Sequence, residues 1–179
     1  MEIVDVVDEK LNVLYPIDKK EAHAKGLLHP TVIAEVINTK GEWLLVKQAS
    51  DKQDPGQFVS PVGGHVKTKE SFENALKREA KEETGIGNFS FRLIGKKIYK
   101  RKWKMGIENH YFILYEIYSD AEVVLNEESV EFRRFTVNEI KEKFESNPEF
   151  FGKAFHFVIQ HFYPSLVHLR GVTQADKII

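Results

Sequence analysis

An α/β (α+β) domain built on a mixed β-sheet is the fold class that the sequence predicts, on three observations. Short β-branched runs separated by turn residues fill most of the chain up to residue 135. One strongly helical segment, residues 69–84, interrupts them. The chain then closes with helical patterns opened by capping signals. With 179 residues and 42% apolar side chains, one core can hold the chain, and residues 1–170 are expected to form a single domain, with 171–179 a frayed tail.

The first segment, EIVDVVDEKLNVLYPI, alternates on both sides of Asp8, Glu9 and Lys10, which predicts an N-terminal β-hairpin. TVIAEVINTKGEWLLVKQA places two apolar runs around Asn38 to Gly41 and predicts a second hairpin. DKQDPGQFVSPVGGHV carries too many prolines and glycines for regular structure beyond a short strand at 57–60. The helix at 69–84 is drawn from Phe72, Leu76 and Ala80, with Thr68 as N-cap and Gly85 as the C-terminal stop. Strands follow at NFSFRLIGKKIYK, IENHYFILYEIY and EFRRF. Thr136 to Glu139 reads TVNE, a capping box that opens a short helix to Phe144. Asn147 and Pro148 are read as the start of a last helix that ends at Pro164.

Composition narrows the function classes. The 26 basic and 27 acidic residues give a formal net charge of −1, so no overall field draws the chain to nucleic acid or to an anionic membrane. The absence of cysteine excludes disulfides, thiolate metal sites and thiol nucleophiles. MEIVDVVDEK lacks a basic, then apolar, leader, and no run of eighteen apolar residues follows, so a cytoplasmic protein without a membrane span is expected.

The informative stretch is GGHVKTKESFENALKREAKEETGI, residues 63–86. At 100° per residue, Glu79, Glu82 and Glu83 fall within about 100° of one another, so three carboxylates share one helix face. They repel one another and oppose the helix dipole near its C-terminus. A solvated face paired to Lys77, Arg78 and Lys81 is one resolution. A divalent cation with hard oxygen ligands is the other. Gly63 and Gly64 allow backbone close to such an ion, so that a carbonyl can join the carboxylates. Glu70 could pair with Arg78 or brace the loop, and Arg78 would fix the orientation of its acidic neighbours.

From Gly64 the pattern runs five residues to Glu70, seven more to Arg78 and Glu79, then Ala80, one residue, Glu82 and Glu83, one residue, Gly85 and Ile86. This resembles the Nudix hydrolase box at every fixed position. The resemblance implies a Nudix α/β/α sandwich and cleavage of a nucleoside diphosphate linked to another group, a small-molecule substrate. It implies Mg²⁺ or Mn²⁺ at Gly63, Glu79, Glu82 and Glu83, with Glu79 and Glu83 catalytic and Gly64, Glu70 and Arg78 supporting them. A further acid is expected from NEESVEFRRF, where Glu127, Glu128 and Glu131 are available and Glu128 is taken as the candidate. A Nudix-fold sensor that binds nucleotide without turnover is the competing reading.

VDVVDEKLNVL and HAKGLLHP extend the resemblance, to the Nudix proteins related to isopentenyl-diphosphate isomerase. Those isomerases use a cysteine in the loop before the box, where this chain reads QFVSPVGGHV, so isoprenoid-diphosphate chemistry is kept only as an alternative. The subgroup commonly has an arginine after the second core strand; here Lys47 is the candidate phosphate contact, with Phe58 and His65 as further substrate-binding candidates. KKIYKRKWK interleaves Tyr99 and Trp103 with basic residues, which suits a nucleotide tail or an RNA end, or a solvated hairpin tip. His23, His29 and His110 have no convergent partner in sequence, and His156 and His161 are spaced wrongly for one helix face. The phenylalanines of the last helix are read as core first and as a homodimer surface second.

Overall fold

The structure, a computed structural model, describes residues 1–103 and 106–167; the expected frayed tail lies outside them. Strands β1 (Ile3–Val7) and β2 (Val13–Asp18) form the expected N-terminal hairpin. A helix absent from the sequence reading follows, α1 (Lys19–Lys25), capped by the Asp18 side chain and closed by Gly26 at φ 62°. At seven residues it is too short for an apolar period to be visible.

The main sheet is mixed and seven-stranded. It comprises β3 (His29–Ile37), β4 (Trp43–Gln48), β5 (Phe58–Val59), β6 (Val62–His65), β7 (Ser90–Trp103), β8 (Gly106–Tyr118) and β9 (Ser129–Phe135). The central pair, β3 and β8, is parallel over nine residues, from His29 opposite His110 to Ile37 opposite Tyr118. β3 is buried along both faces, and among its apolar residues it also buries His29, Thr31 and Glu35.

The β3–β4 hairpin differs from its expected form. Only Val36 with Leu44 and Ile37 with Trp43 pair; beyond them the strands part. β3 then takes β6 as its partner, while β4 takes β5 and β9. A cleft opens where they separate. Strand β6 runs through Gly63 and Gly64, where the sequence predicts a loop because glycines are poor strand formers.

Helix α2 (Phe72–Thr84) covers one face of the sheet, burying Ala75, Leu76 and Ala80 against Val32, Ala34, Val36 and Ile113. Its N-cap is Ser71, whose side chain accepts from Asn74 N–H, and not Thr68, which bonds Asp5 instead. The other face is covered by α3 (Val137–Ser146), with its capping box, and α4 (Lys153–Phe162). The expected single last helix is in fact a 3₁₀ turn at Pro148–Phe150, a break, and α4. At the break, a Cβ on Gly152 would lie 2.5 Å from Val59 Cγ1, so backbone approaches the sheet there. Phe151 and Phe155 are fully buried, and Phe150, Phe157 and Phe162 pack beside them, so the aromatic residues are used within the chain.

Candidate active site

Side chains from β3, β4, β6, β7, β8 and α2 line one cavity of about 470 Å³ in the cleft between β3 and β4. Among the sequence-derived candidates, Gly63, Gly64, His65, Arg78, Glu79, Glu82, Glu83 and Glu128 all line it. Lys47 and Phe58 do not. Phe58 is 2% exposed and packs with Phe135 and Phe150, and Lys47 faces Glu131 at 3.5 Å. Both corrections follow from the pairing of β4 with β5 and β9, which a sequence pattern does not report.

The acidic face of α2 is held in place by a single guanidinium. Arg78 donates from Nε and Nη2 to the two oxygens of Glu70, from Nη2 to the His65 carbonyl, and from Nη1 to Glu79. Its Nη1 also lies 3.5 Å from Glu82. Glu70 additionally accepts from Lys67 N–H, so it anchors Arg78 and lies outside the cavity. Glu79 rests on the backbone at Gly64: a Cβ there would lie 1.9 Å from Glu79 Cδ. Glu83 accepts from Gly63 N–H at 2.7 Å.

Burial pushes Glu83 well above the usual carboxylate range, and the charges of Glu79, Glu128 and Glu82 push it the same way. Burial also raises Glu79, against the opposing Arg78 bond. Arg78 is shared by Glu70, Glu79 and Glu82, and among the described residues Glu83 meets only the Gly63 N–H, so one guanidinium serves four carboxyl groups, and such hard oxygen donors are a fitting set for a divalent cation. Of the late-loop acids, Glu128 reaches the cavity, beside Lys52 at 3.0 Å, whereas Glu131 is turned to Arg133 and Lys47.

A second cluster was not visible in the sequence. His23 of α1, His29 of β3, His65 of β6 and His110 of β8 bring one ring nitrogen each within 4.8 Å of one another. Register is the cause: His29 pairs with His110, and His65 pairs with Thr31 two residues further along β3. His23 Nε2 lies 3.0 Å from His65 Nε2 and 3.4 Å from His110 Nε2. His29 Nδ1 donates to the Leu27 carbonyl at 2.8 Å, which leaves Nε2 as the lone-pair nitrogen, buried and without a protein partner among the described residues. Burial pushes all four imidazoles down, His29 to about 4, so they are neutral at pH 7. Four neutral imidazoles, one oriented by a backbone carbonyl, are a donor set suited to a borderline transition metal.

The basic segment also departs from its sequence reading. β7 continues to Trp103, and Tyr99 and Arg101 turn inward to the cavity. Arg101 is held by Asp54 at 2.8 Å and by Glu108. His156 Nε2 meets the Pro148 carbonyl at 2.7 Å.

A helix-borne glutamate cluster thus lies beside a paired-glycine strand, on a mixed sheet with helices on both faces. The model of the NUDIX domain matches residues 27–154, and the chain belongs to the Nudix hydrolase family. Isopentenyl-diphosphate Delta-isomerase 1 of Photorhabdus laumondii is 29% identical over 93% of this chain and 99% of its own length. An uncharacterized Nudix hydrolase of Yersinia pestis is 32% identical over 51% of this chain and 50% of its own. A crystal structure from Deinococcus radiodurans superposes with a TM-score of 0.70 over 90% of this chain and 99% of that one, at 21% identity. MutT protein of Methanosarcina mazei superposes at 0.62, covering 77% and 94%, at 24% identity. Family and fold support a pyrophosphohydrolase-type function.

Proposed function

We propose that this Nudix hydrolase cleaves the diphosphate linkage of a small nucleoside diphosphate derivative, with Mg²⁺ or Mn²⁺ held by Glu79, Glu82, Glu83 and the backbone of Gly63. The observation that carries this reading is the convergence of Glu79, Glu83 and Glu128 on one cavity, where one guanidinium is shared by the carboxyls of α2. A bound divalent ion would offset charge on the phosphate oxygens and acidify water. Glu79 and Glu83, whose buried carboxyls hold protons more readily than usual, are the groups placed to accept the proton of the attacking water. Arg78 keeps Glu79 aimed, the Gly63 N–H holds Glu83, and Glu128 lines the same cavity. The four histidines would hold a separate borderline metal such as Zn²⁺, with His29 Nε2 as its deepest ligand.

The test is hydrolysis of dinucleoside polyphosphates, sugar nucleotides, coenzyme diphosphates, nucleoside triphosphates and isopentenyl diphosphate, with Mg²⁺ and with Mn²⁺. Cleavage of at least one nucleotide, reduced about 100-fold or more in Glu83→Gln with the fold retained, is expected. Absence of cleavage across the panel overturns the hydrolase reading and favours the nucleotide sensor. Isopentenyl diphosphate is included because of the full-length similarity to an isomerase; without cysteine, any reaction on it proceeds without a thiol.

A further inference from the structure

Strand β9 is an outermost strand of the main sheet. It is bonded by β4 on one side, and residues 130–135 make no backbone bond on the other among the described residues. Its sequence, SVEFRRF, has neither the proline nor the glycine that would spoil an edge. Val130 and Phe132 are 65% and 43% exposed, and the Arg133 side chain, which alternates with them, is 56% exposed, so the middle of the strand is open on both faces.

The direction of its unpaired backbone groups follows from β4. Gln48 N–H donates to the Gln57 carbonyl, and the Gln48 carbonyl accepts from Gly56 N–H, so both groups of Gln48 point away from β9. Alternation along β4 then turns Lys47 and Leu45 toward β9, where they stand opposite Glu131 and Arg133. Phe132, between those two, therefore aims its own N–H and carbonyl at the open edge.

Charge decides what fits there. Glu131 and Arg133 flank Phe132 and pair with each other along the strand, with Lys47 3.5 Å from Glu131. A second β9 laid antiparallel and centred on Phe132 would put each Glu131 opposite the partner's Arg133, as a non-hydrogen-bonded pair with Cα atoms about 4.5 Å apart. Centring on Glu131 or on Arg133 would instead set like charges face to face. The edge is thus complementary to itself in one register.

We propose that β9 is a homodimer interface, in which two copies of this chain join their main sheets across a two-fold axis at Phe132. The axis pairs the outward N–H and carbonyl of each Phe132, brings the two exposed rings together on one face, and forms two Glu131–Arg133 pairs between copies on the other. Glu128 and Ser129, where this strand begins, line the cavity, so pairing also braces the segment that carries Glu128.

The test is sedimentation velocity of the full-length chain from micromolar to millimolar concentration. A dimer that grows with concentration is expected. Glu131→Arg and Arg133→Glu each place like charges across the axis twice, and each alone should weaken the dimer about tenfold or more. An equimolar mixture of the two variants should restore it, because each then supplies the charge that the other lacks. Phe132→Pro removes the N–H at the axis and none that β4 receives, and should weaken the dimer as well. Thermal unfolding of each variant checks the fold. An unmodified chain that stays monomeric throughout, a dimer indifferent to the single charge reversals, or variants that mixing does not rescue would each overturn the proposal.

Discussion

The carboxylate of Glu79 lies directly over the Cα of Gly64, so close that a methyl group there would sit 1.9 Å from Glu79 Cδ. Glycine at 64 is thus set by an approach between β6 and α2 and not by backbone dihedral, since its φ is not in the left-handed range. Gly64→Ala should push Glu79 off the strand. The expected result is a loss of about 100-fold or more in kcat/KM and weaker Mg²⁺ dependence, read by metal titration of activity; unchanged kinetics would show that Glu79 is not needed where it stands.

Arg78→Lys tests the four-way clamp. An ammonium group cannot reproduce contacts to both Glu70 oxygens, Glu79 and the His65 carbonyl from one rigid plane. Stability should fall by about 1–3 kcal/mol in urea denaturation, with activity falling further because Glu79 and Glu82 lose their orientation. Glu70→Gln should give a milder version of both effects.

The histidine cluster predicts a metal stoichiometry. Protein expressed in rich medium and dialysed is expected to retain about one equivalent of a borderline transition metal by elemental analysis, and His29→Ala or His110→Ala should remove most of it. Glu83→Gln should leave this metal in place, since that residue belongs to the other cluster. Retention in both histidine variants would overturn the assignment.

Glu35 predicts a pH effect on stability. It is fully buried on β3, where Ser60 donates to Oε1 at 2.5 Å and Oε2 has no partner among the described residues. Burial, with Glu116 on the neighbouring strand adding to it, lifts its carboxyl from 4.5 to about 8. Between those two values the native chain keeps a proton that the unfolded chain releases. The contribution of the neutral carboxyl is complete below about pH 4.5 and is lost as the pH rises to about 8, at no more than about 1.4 kcal/mol per pH unit. Glu35→Gln should flatten this part of the profile. Stability curves of the two proteins that stay parallel from pH 5 to 8 would contradict it.

Sequence patterns located most elements because those elements are locally specified. The capping box at Thr136 and Glu139 and the apolar spacing of Phe72, Leu76 and Ala80 depend on residues within one or two turns. Strand β6 and helix α1 were missed for the same reason reversed: one passes through two glycines, and the other is only seven residues long. The inward turn of Tyr99 and Arg101 was hidden because an arginine buried between Asp54 and Glu108 looks, in sequence, like one more member of a basic run.

By itself, the amino-acid order determined the acidic face of α2 and the paired glycines before it, since residues three and four apart on a helix must share a side. Only the tertiary structure decided that Glu128 lines the same cavity as that face while Lys47 does not, and that four histidines from four elements meet. Adjacency across a sheet depends on strand order and register, and a register shift of one residue would send His29, His65 or His110 to the opposite face.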